Sequence, residues 1–331
     1  MNKILSVAVP SYNVEKYLHK CLDSFADDRL KEKLEVLIVN DGSTDNTEKI
    51  ALEYVRRYPE IFRLINKKNG GHGSAVNTGI DHAKGKYFRI VDGDDWVLTD
   101  NLAKLLYILQ STDVDIVIDE KREVHMINGA TNFAPLPDDL EKNKVYRFKD
   151  ICSRKDITPY IILHTMSVRT ELLKSNHIHL LEHIFYVDYE YILKTTCKTE
   201  TIMFVNLEIY QYLVGNVNQS VDSQNYVKRY AHHDKVVKEM LRFTSNSEFD
   251  SEIMEYLNRR VSLVIHTHYK IALIFDMNRR QGYNRAKQFR DYLKKCYPEF
   301  EKRTRKRYYE TVVLHFLGIN AQRLDRIMGR S

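Results

Sequence analysis

Residues 90–97 read "IVDGDDWV": an apolar strand end, then Asp92, Asp94 and Asp95 within four positions, then Trp96, the one tryptophan of the chain. Carboxylates this close raise one another's pKa unless a cation compensates. Oxygen donors with no His or Cys among them suit Mg²⁺ or Mn²⁺, ions that take one or two carboxylates and bridge to substrate phosphates. The chemistry on offer is therefore the metal-assisted handling of a diphosphate. Three further polar segments each follow an apolar run: Pro10-Ser11-Tyr12-Asn13, Asn40-Asp41-Gly42-Ser43 and Asn69-Gly70-Gly71-His72-Gly73. In an open parallel sheet, ligands bind beyond the carboxyl ends of the strands, so all four segments converge on one rim.

The elements that must carry this rim alternate. "ILSVAVP", "LEVLIVN", "IFRLINK", "KYFRIV" and "VDIVID" read as strands. Between them, residues 14–28 place Tyr17, Leu18, Cys21, Leu22 and Phe25 on one helical face, and "DNTEKIALEYVRRY" forms a helix opened by the capping pair Asp45 and Glu48. "GSAVNTGIDHA" and residues 100–110 supply two more helices. The alternation predicts a mostly parallel sheet with helices on both faces. Residues 121–150 lose the pattern and read as an excursion or short hairpin. Helices are expected near 169–176 and 187–198, with a strand at "TIMFVNLEIYQYL". From about 225 the pattern is helical, which divides the chain into 1–222 and 223–331.

Charge divides in the same way. Residues 1–225 carry 28 Lys+Arg against 33 Asp+Glu, and residues 226–331 carry 23 against 12. "RTRKRYYETVVLHFLGINAQRLDRIMGR" mixes cationic and apolar residues at near-helical spacing, which suits an anionic membrane surface or self-association through the helices. The four cysteines are scattered without metal-ligand spacing and read as reduced thiols of a cytoplasmic protein. The N-terminus lacks the long apolar region of a secretory signal, and no run is long enough to span a bilayer. "GGHGSAV" puts Val76 where a dinucleotide fingerprint needs its third glycine, and no G-x-x-x-x-G-K-[ST] is present. His232-His233 and His266-x-His268 do not chelate as local pairs, because such spacings point to different faces of a helix.

"VAVPSYNVEKYLHKCLDS", "EVLIVNDGSTDNT", "NGGHGSAVNTGI" and "GKYFRIVDGDDWV", in this order over about 100 residues, resemble the family 2 glycosyltransferases. These are inverting sugar transferases of GT-A fold, and bacterial members build cell-surface polysaccharide, capsule and teichoic acid. The resemblance implies an α/β fold with a mostly parallel sheet and a C-terminal helical extension. It implies that Pro10, Ser11, Tyr12 and Asn13 hold base and ribose, that Asp41 reads the base, and that Asn69, Gly70 and Gly73 lie near ribose and phosphate. Asp92, Gly93 and Asp94 match the D-x-D signature, with Asp92 near the ribose and Asp94 on Mn²⁺ or Mg²⁺; Asp95 matches the position facing the donor sugar. In "YVDYEYI", Val187 stands where the family has its first acid, so Asp188 becomes the expected base and Glu190 the reserve. Leu213 replaces a common arginine, leaving Gln219 and Ser220 as candidates for the diphosphate.

The implied reaction moves a sugar from a UDP-sugar to a hydroxyl of a glycan or lipid-linked acceptor at the inner face of the membrane, without nucleic acid. The rivals are a metal-dependent nucleotidyltransferase acting on sugar phosphates, which releases pyrophosphate, and a non-catalytic nucleic-acid or polymer binder, which the basic tail and abundant tyrosines would suit. Trp96 suits either stacking on a sugar or a core role behind the turn, and His72 either phosphate or acceptor.

Overall fold

The computed structural model describes residues 3–126, 128–215 and 222–327. The chain divides into two compact units, Met1–Asn216 and Val217–Ser331.

In the first unit, β1 (Leu5–Ser11) and β2 (Leu34–Asn40) are buried along their whole length. Strands covered on both faces read as unbroken apolar runs, as these do. With β3 (Phe62–Asn66) and β4 (Tyr87–Ile90) they form a parallel set in the order β3-β2-β1-β4. The helices α1 (Glu15–Asp23), α2 (Thr47–Arg57), α3 (His72–His82) and α4 (Thr99–Ser111) lie between the strands in sequence. Leu18, Cys21 and Leu22 of α1 join Leu102, Leu105, Leu106 and Leu109 of α4 in one apolar core with Val7, Val9, Val36 and Ile38. Pro10 is tolerated within β1 because it lies past the pairing with β4, which stops at Ala8–Ile90.

The remaining strands are β5 (Trp96–Val97), β6 (Ile116–His125), β7 (Thr131–Phe133), β8 (Val145–Arg147), β9 (Met166–Arg169) and β10 (Thr201–Val214). The sheet continues from β4 through β9, β6 and β10 to β5, with β7 on β6 and β8 on β10. Short helices α5 (Phe148–Ile151) and α6 (Thr170–Ser175) precede α7 (Val187–Thr196).

Three local features differ from the sequence expectation. β9 is a strand of four residues, antiparallel to both β4 and β6, and it bridges the two parallel halves. So short a segment carries no periodicity of its own; pairing on both sides makes it a strand. β6 runs past the expected strand end to His125, because β10 supplies backbone partners as far as Val214, and β7 pairs back on it antiparallel as the short hairpin alternative expected. The helix start at Thr47 is not a capping box. Glu48 accepts from Asn66 Nδ2 at 2.7 Å, while Asp45 accepts from the Thr47 and Glu15 backbone N–H groups and so ties α1 to α2.

The second unit is helical: α8 (Ser223–Lys228), α9 (Tyr230–Ser245), α10 (Ser251–Lys270), α11 (Arg279–Cys296), α12 (Pro298–Phe316) and α13 (Ala321–Ile327). Asp222 caps α8 by accepting from the Gln224 and Asn225 N–H groups. A π-helical turn, Ile271–Phe275, follows α10. Among the described residues no helix is long and apolar enough to cross a membrane.

Tertiary packing makes one pair from the four helical histidines singled out by spacing. His233 of α9 and His268 of α10 are fully buried, with Nδ1 atoms 3.1 Å apart and rings stacked. Tyr230 stacks on His268, Asp234 Oδ1 lies 3.4 Å from its Nε2, and Lys238 and Arg285 approach the same cluster. Burial holds both imidazole pKa values below the usual range; Asp234 opposes the shift without reversing it. The unfolded chain takes up protons near pH 6.5 while the native state resists them, so the unfolded state binds more protons below that pH. Stability from this pair is therefore complete above about pH 6.5 and is lost as pH falls. Calorimetry should show a lower unfolding temperature at about pH 5.5 than at about pH 7.5. The drop should be smaller in His233→Gln, which cannot take up a proton.

Candidate active site

The rim after β1, β2 and β3 is built around Asp41. Its Oδ1 accepts from Lys67 Nζ at 2.8 Å and from Gly70 N at 2.9 Å, and its Oδ2 from Gly71 N at 2.8 Å. Asn69 Nδ2 returns a bond to the Asp41 carbonyl at 2.9 Å. The carboxylate thus organises the glycine loop, and the loop's N–H groups are turned inward to it. Gly71 opens α3 at φ 83, a left-handed conformation in which a side chain is strained. A Cβ on Gly73 would collide with the Leu181 carbonyl, so this glycine lets the segment before α7 lie against the start of α3. His183 N donates to Gly70 O at 2.5 Å across the same contact.

Ser11 is buried and donates to the Val9 carbonyl, whereas Tyr12 is 52% exposed on the rim. Asn13, at φ 54, accepts from Thr44 N and donates its own N–H to Ser43 Oγ, which joins the loops after β1 and β2. Such non-glycine residues in left-handed conformations persist only where the surroundings over-determine them.

The carboxylate turn lies beyond β4. Gly93 is closely approached there: a Cβ would sit tightly against Pro10 O at 3.2 Å and Val14 Cγ2 at 3.1 Å. Asp92 Oδ1 lies 2.8 Å from His72 Nε2, and its Oδ2 lies 3.7 Å from His164 Nε2. Burial works to raise the Asp92 pKa, but the two imidazoles outweigh it and hold the carboxyl well below the usual range. His72 shifts upward in turn: burial lowers it, while Asp92, Asp188 and Asp94 together raise it further.

Asp95, expected to face the donor sugar, instead points into β10. It is 1% exposed and accepts from Tyr210 Oη at 2.6 Å and Leu213 N at 2.7 Å. Burial and the charges of Asp94 and Asp92 push its pKa well above the carboxylate range. Tyr210 Oη also accepts from the Asp92 N–H at 3.2 Å, so one phenol ties the turn to the last core strand. Trp96 is half-buried with Lys20 Nζ 3.1 Å above its ring, which occupies one ring face from α1. Leu213 contributes its backbone N–H here; Gln219 and Ser220 lie outside the described residues.

α7 delivers the candidate base. Tyr186 caps it in a left-handed conformation, φ 69, and Asp188 follows in the first turn. Asp188 is half-buried. Burial raises its pKa above the usual value, against the pull of His164 and His72. Glu190 is buried and engaged by Lys194 Nζ at 2.5 Å and Leu181 N at 3.1 Å, which marks it as a structural anchor.

Sequence reasoning misses His164, Tyr210, Arg89 and Asp119. Arg89 and Asp119 are both fully buried and form a bidentate pair, and Arg89 Nη2 also donates to the His164 carbonyl at 2.6 Å. The signal was present: one arginine within the apolar strand "KYFRIV" demands a buried partner. Removing one partner of such a pair costs about 3–5 kcal/mol. Tyr210 and Tyr212, two apart on a strand, share one face, and both rings lie against His164 at 4.8 and 5.0 Å.

One oxygen or nitrogen from each of Asp92, Asp95 and His164 falls within 4.8 Å of the others, with Asp94 half-buried on the same turn. Asp92, Asp95 and His164 are thus the described residues placed to share a cation, with Asp95 also held to β10 through Tyr210 and Leu213. Burial first, and then the charges of Asp94 and Asp92, raise Asp95, and a cation would relieve the second of these.

The model of the family described as Glycosyl transferase family 2 matches residues 6–176. The uncharacterized glycosyltransferase EpsJ of Bacillus subtilis is 40% identical over 117 residues, 35% of this chain and 33% of its own. The teichoic acid poly(glycerol phosphate) polymerase of Staphylococcus epidermidis is 29% identical over 59% of this chain and 26% of its own. The matched stretch thus spans about a third or less of these two curated relatives. Among solved structures, S. aureus TarS 1-349 in complex with UDP-GlcNAc aligns at TM-score 0.65 and 20% identity, covering 96% of this chain and 92% of that one. The mannosyltransferase PcManGT of Pyrobaculum calidifontis, in complex with GDP-Man and Mn²⁺, aligns at TM-score 0.55 and 14% identity over 96% and 88%. The fold is the GT-A arrangement of these transferases, followed by helices.

Proposed function

Because the chain belongs to glycosyl transferase family 2, we propose that it moves a sugar from a UDP-sugar to a hydroxyl of a lipid-linked or polymeric glycan in cell-surface polysaccharide synthesis, inverting the anomeric carbon. The observation that carries this reading is the Asp92–Asp95 turn, bracketed by His72 and His164, with Asp188 in electrostatic contact with both imidazoles. UDP is favoured because TarS structures hold UDP-GlcNAc and UDP, and a cell-surface acceptor because the relatives include a teichoic acid polymerase.

In this reading Tyr12 stacks on the base, while Pro10, Ser11 and Asn13 shape its loop. Asp41 holds Asn69, Gly70 and the turn to Gly73 against ribose and phosphate. Asp94 and Asp92, with His164 as nitrogen donor, would hold Mn²⁺ or Mg²⁺, which would supply Lewis-acid neutralisation of the leaving diphosphate. Asp95 acts as a positioning residue, locking the turn to β10 through Tyr210 and Leu213. Asp188 accepts the proton of the acceptor hydroxyl as it attacks the face opposite the leaving group. One displacement needs no covalent intermediate, so a single base suffices.

The test incubates the protein with a panel of nucleotide sugars and Mn²⁺ and identifies the released nucleotide. Release of UDP from a UDP-sugar is the expected result. Pyrophosphate release from a nucleoside triphosphate and a sugar phosphate would replace this reading with the nucleotidyltransferase.

A further inference from the structure

The outward face of α12 changes character along its length. Lys302, Arg305 and Lys306 are exposed on its first turns. Tyr309, Val313, Phe316 and Leu317 follow on the same face at i, i+4, i+7 and i+8, exposed by 51, 56, 68 and 67%. Four large apolar side chains in one outward stripe are not scattered surface residues, and a contiguous patch of this kind marks an interaction site.

Cations collar the apolar end. The Arg279 guanidinium donates to the His315 carbonyl, and Arg323 Nη1 donates to the Gly318 carbonyl at 3.1 Å. Met277, 69% exposed, lies two residues from Arg279. Glu310, the acid beside the stripe, is engaged by Lys306 and Arg307. From this combination we propose that the α12 face is a docking surface for an anionic lipid membrane. Val313, Phe316 and Leu317 enter the acyl boundary, and Lys302, Lys306, Arg279 and Arg323 meet phosphate headgroups. Amphipathic helices bind lipid through this pairing of buried apolar area with cationic contact.

The charges also argue against the alternative occupants. A symmetric pairing with a second copy would set each cationic collar near its twin, where like charges repel. A soluble anionic polymer would satisfy the cations but leave the apolar stripe in water.

The test is co-sedimentation of the full chain with phosphatidylcholine vesicles, with and without phosphatidylglycerol. The wild-type protein should sediment with the anionic vesicles and stay in solution with the neutral ones. Phe316→Ser/Leu317→Ser should weaken this by about tenfold or more, and Lys302→Ser/Lys306→Ser by about fivefold per cation. Both variants alter exposed side chains, so their unfolding temperature and their rate of UDP-sugar hydrolysis should match wild type. The inference draws on the proposed reaction only for its setting, and hydrolysis measured without vesicles reports that reaction separately. Equal binding to both vesicle types, no binding to either, or undiminished binding by the Phe316/Leu317 variant would overturn it. A lipid-free dimer that becomes monomeric in that variant would assign the stripe to a second copy instead.

Discussion

Asp188→Asn should lower turnover by about 10²–10⁴-fold, the usual worth of a positioned proton acceptor. Asparagine keeps the size of the side chain and most of its hydrogen bonds but cannot take a proton from the acceptor. Donor binding should be nearly unchanged, because the glycine loop is organised by Asp41 and not by Asp188. Wild-type kcat should also show an acid limb above the ordinary aspartate range. Burial favours the neutral form of Asp188, which is inactive as a base, and activity recovers as pH rises through its raised pKa. Glu190→Gln serves as the contrast. It removes the charge that Lys194 pairs with and should lower the unfolding temperature while leaving kcat close to wild type. Transfer rate and donor affinity measured on both variants decide the matter. Loss of activity in Glu190→Gln with retention in Asp188→Asn would exchange the roles, and loss of donor binding in Asp188→Asn at a preserved rate would remove it as the base.

Asp94→Asn should lower kcat by about 10²–10³-fold, the range found when one group that stabilises developing negative charge is removed. Mn²⁺ binding, followed by the metal-dependent shift in unfolding temperature, should weaken in parallel, and wild-type activity should fall in excess chelator. Asp92→Asn should behave differently. Asp92 faces both His72 and His164, so its loss also removes the nearest anion from both imidazoles and lowers the His72 pKa. Full activity of Asp94→Asn, or of wild type in chelator, would exclude a cation at the turn. A thermal shift with Mn²⁺ that persists in both variants would move the cation to another donor set.

The sequence alone determined those features in which one residue's chemistry already implies its surroundings. Strands β1 and β2 are legible because strands buried on both faces must be apolar throughout. The rim follows from them, since polar loops at the carboxyl ends of parallel strands face one way. Asp188 is legible as an acid at a helix start, with Glu190 two residues on and therefore on another face.

What tertiary structure decided are roles that depend on contacts far apart in the chain. Asp94 and Asp95 are neighbours of the same type. Yet one stays half-buried on the turn while the other is sealed against Tyr210 and Leu213, more than a hundred positions away. No local pattern distinguishes them, because the difference lies in which carboxylate meets β10. His164 joins the site only because β9 inserts antiparallel between β4 and β6 and Arg89 holds the His164 carbonyl. His233 and His268, spaced wrongly for any local pair, meet because α9 and α10 pack side by side. Local sequence encodes conformation and burial through steric and solvation preferences that act within a few residues. Partners for buried charges and imidazoles are settled only when the strands and helices that carry them are in place.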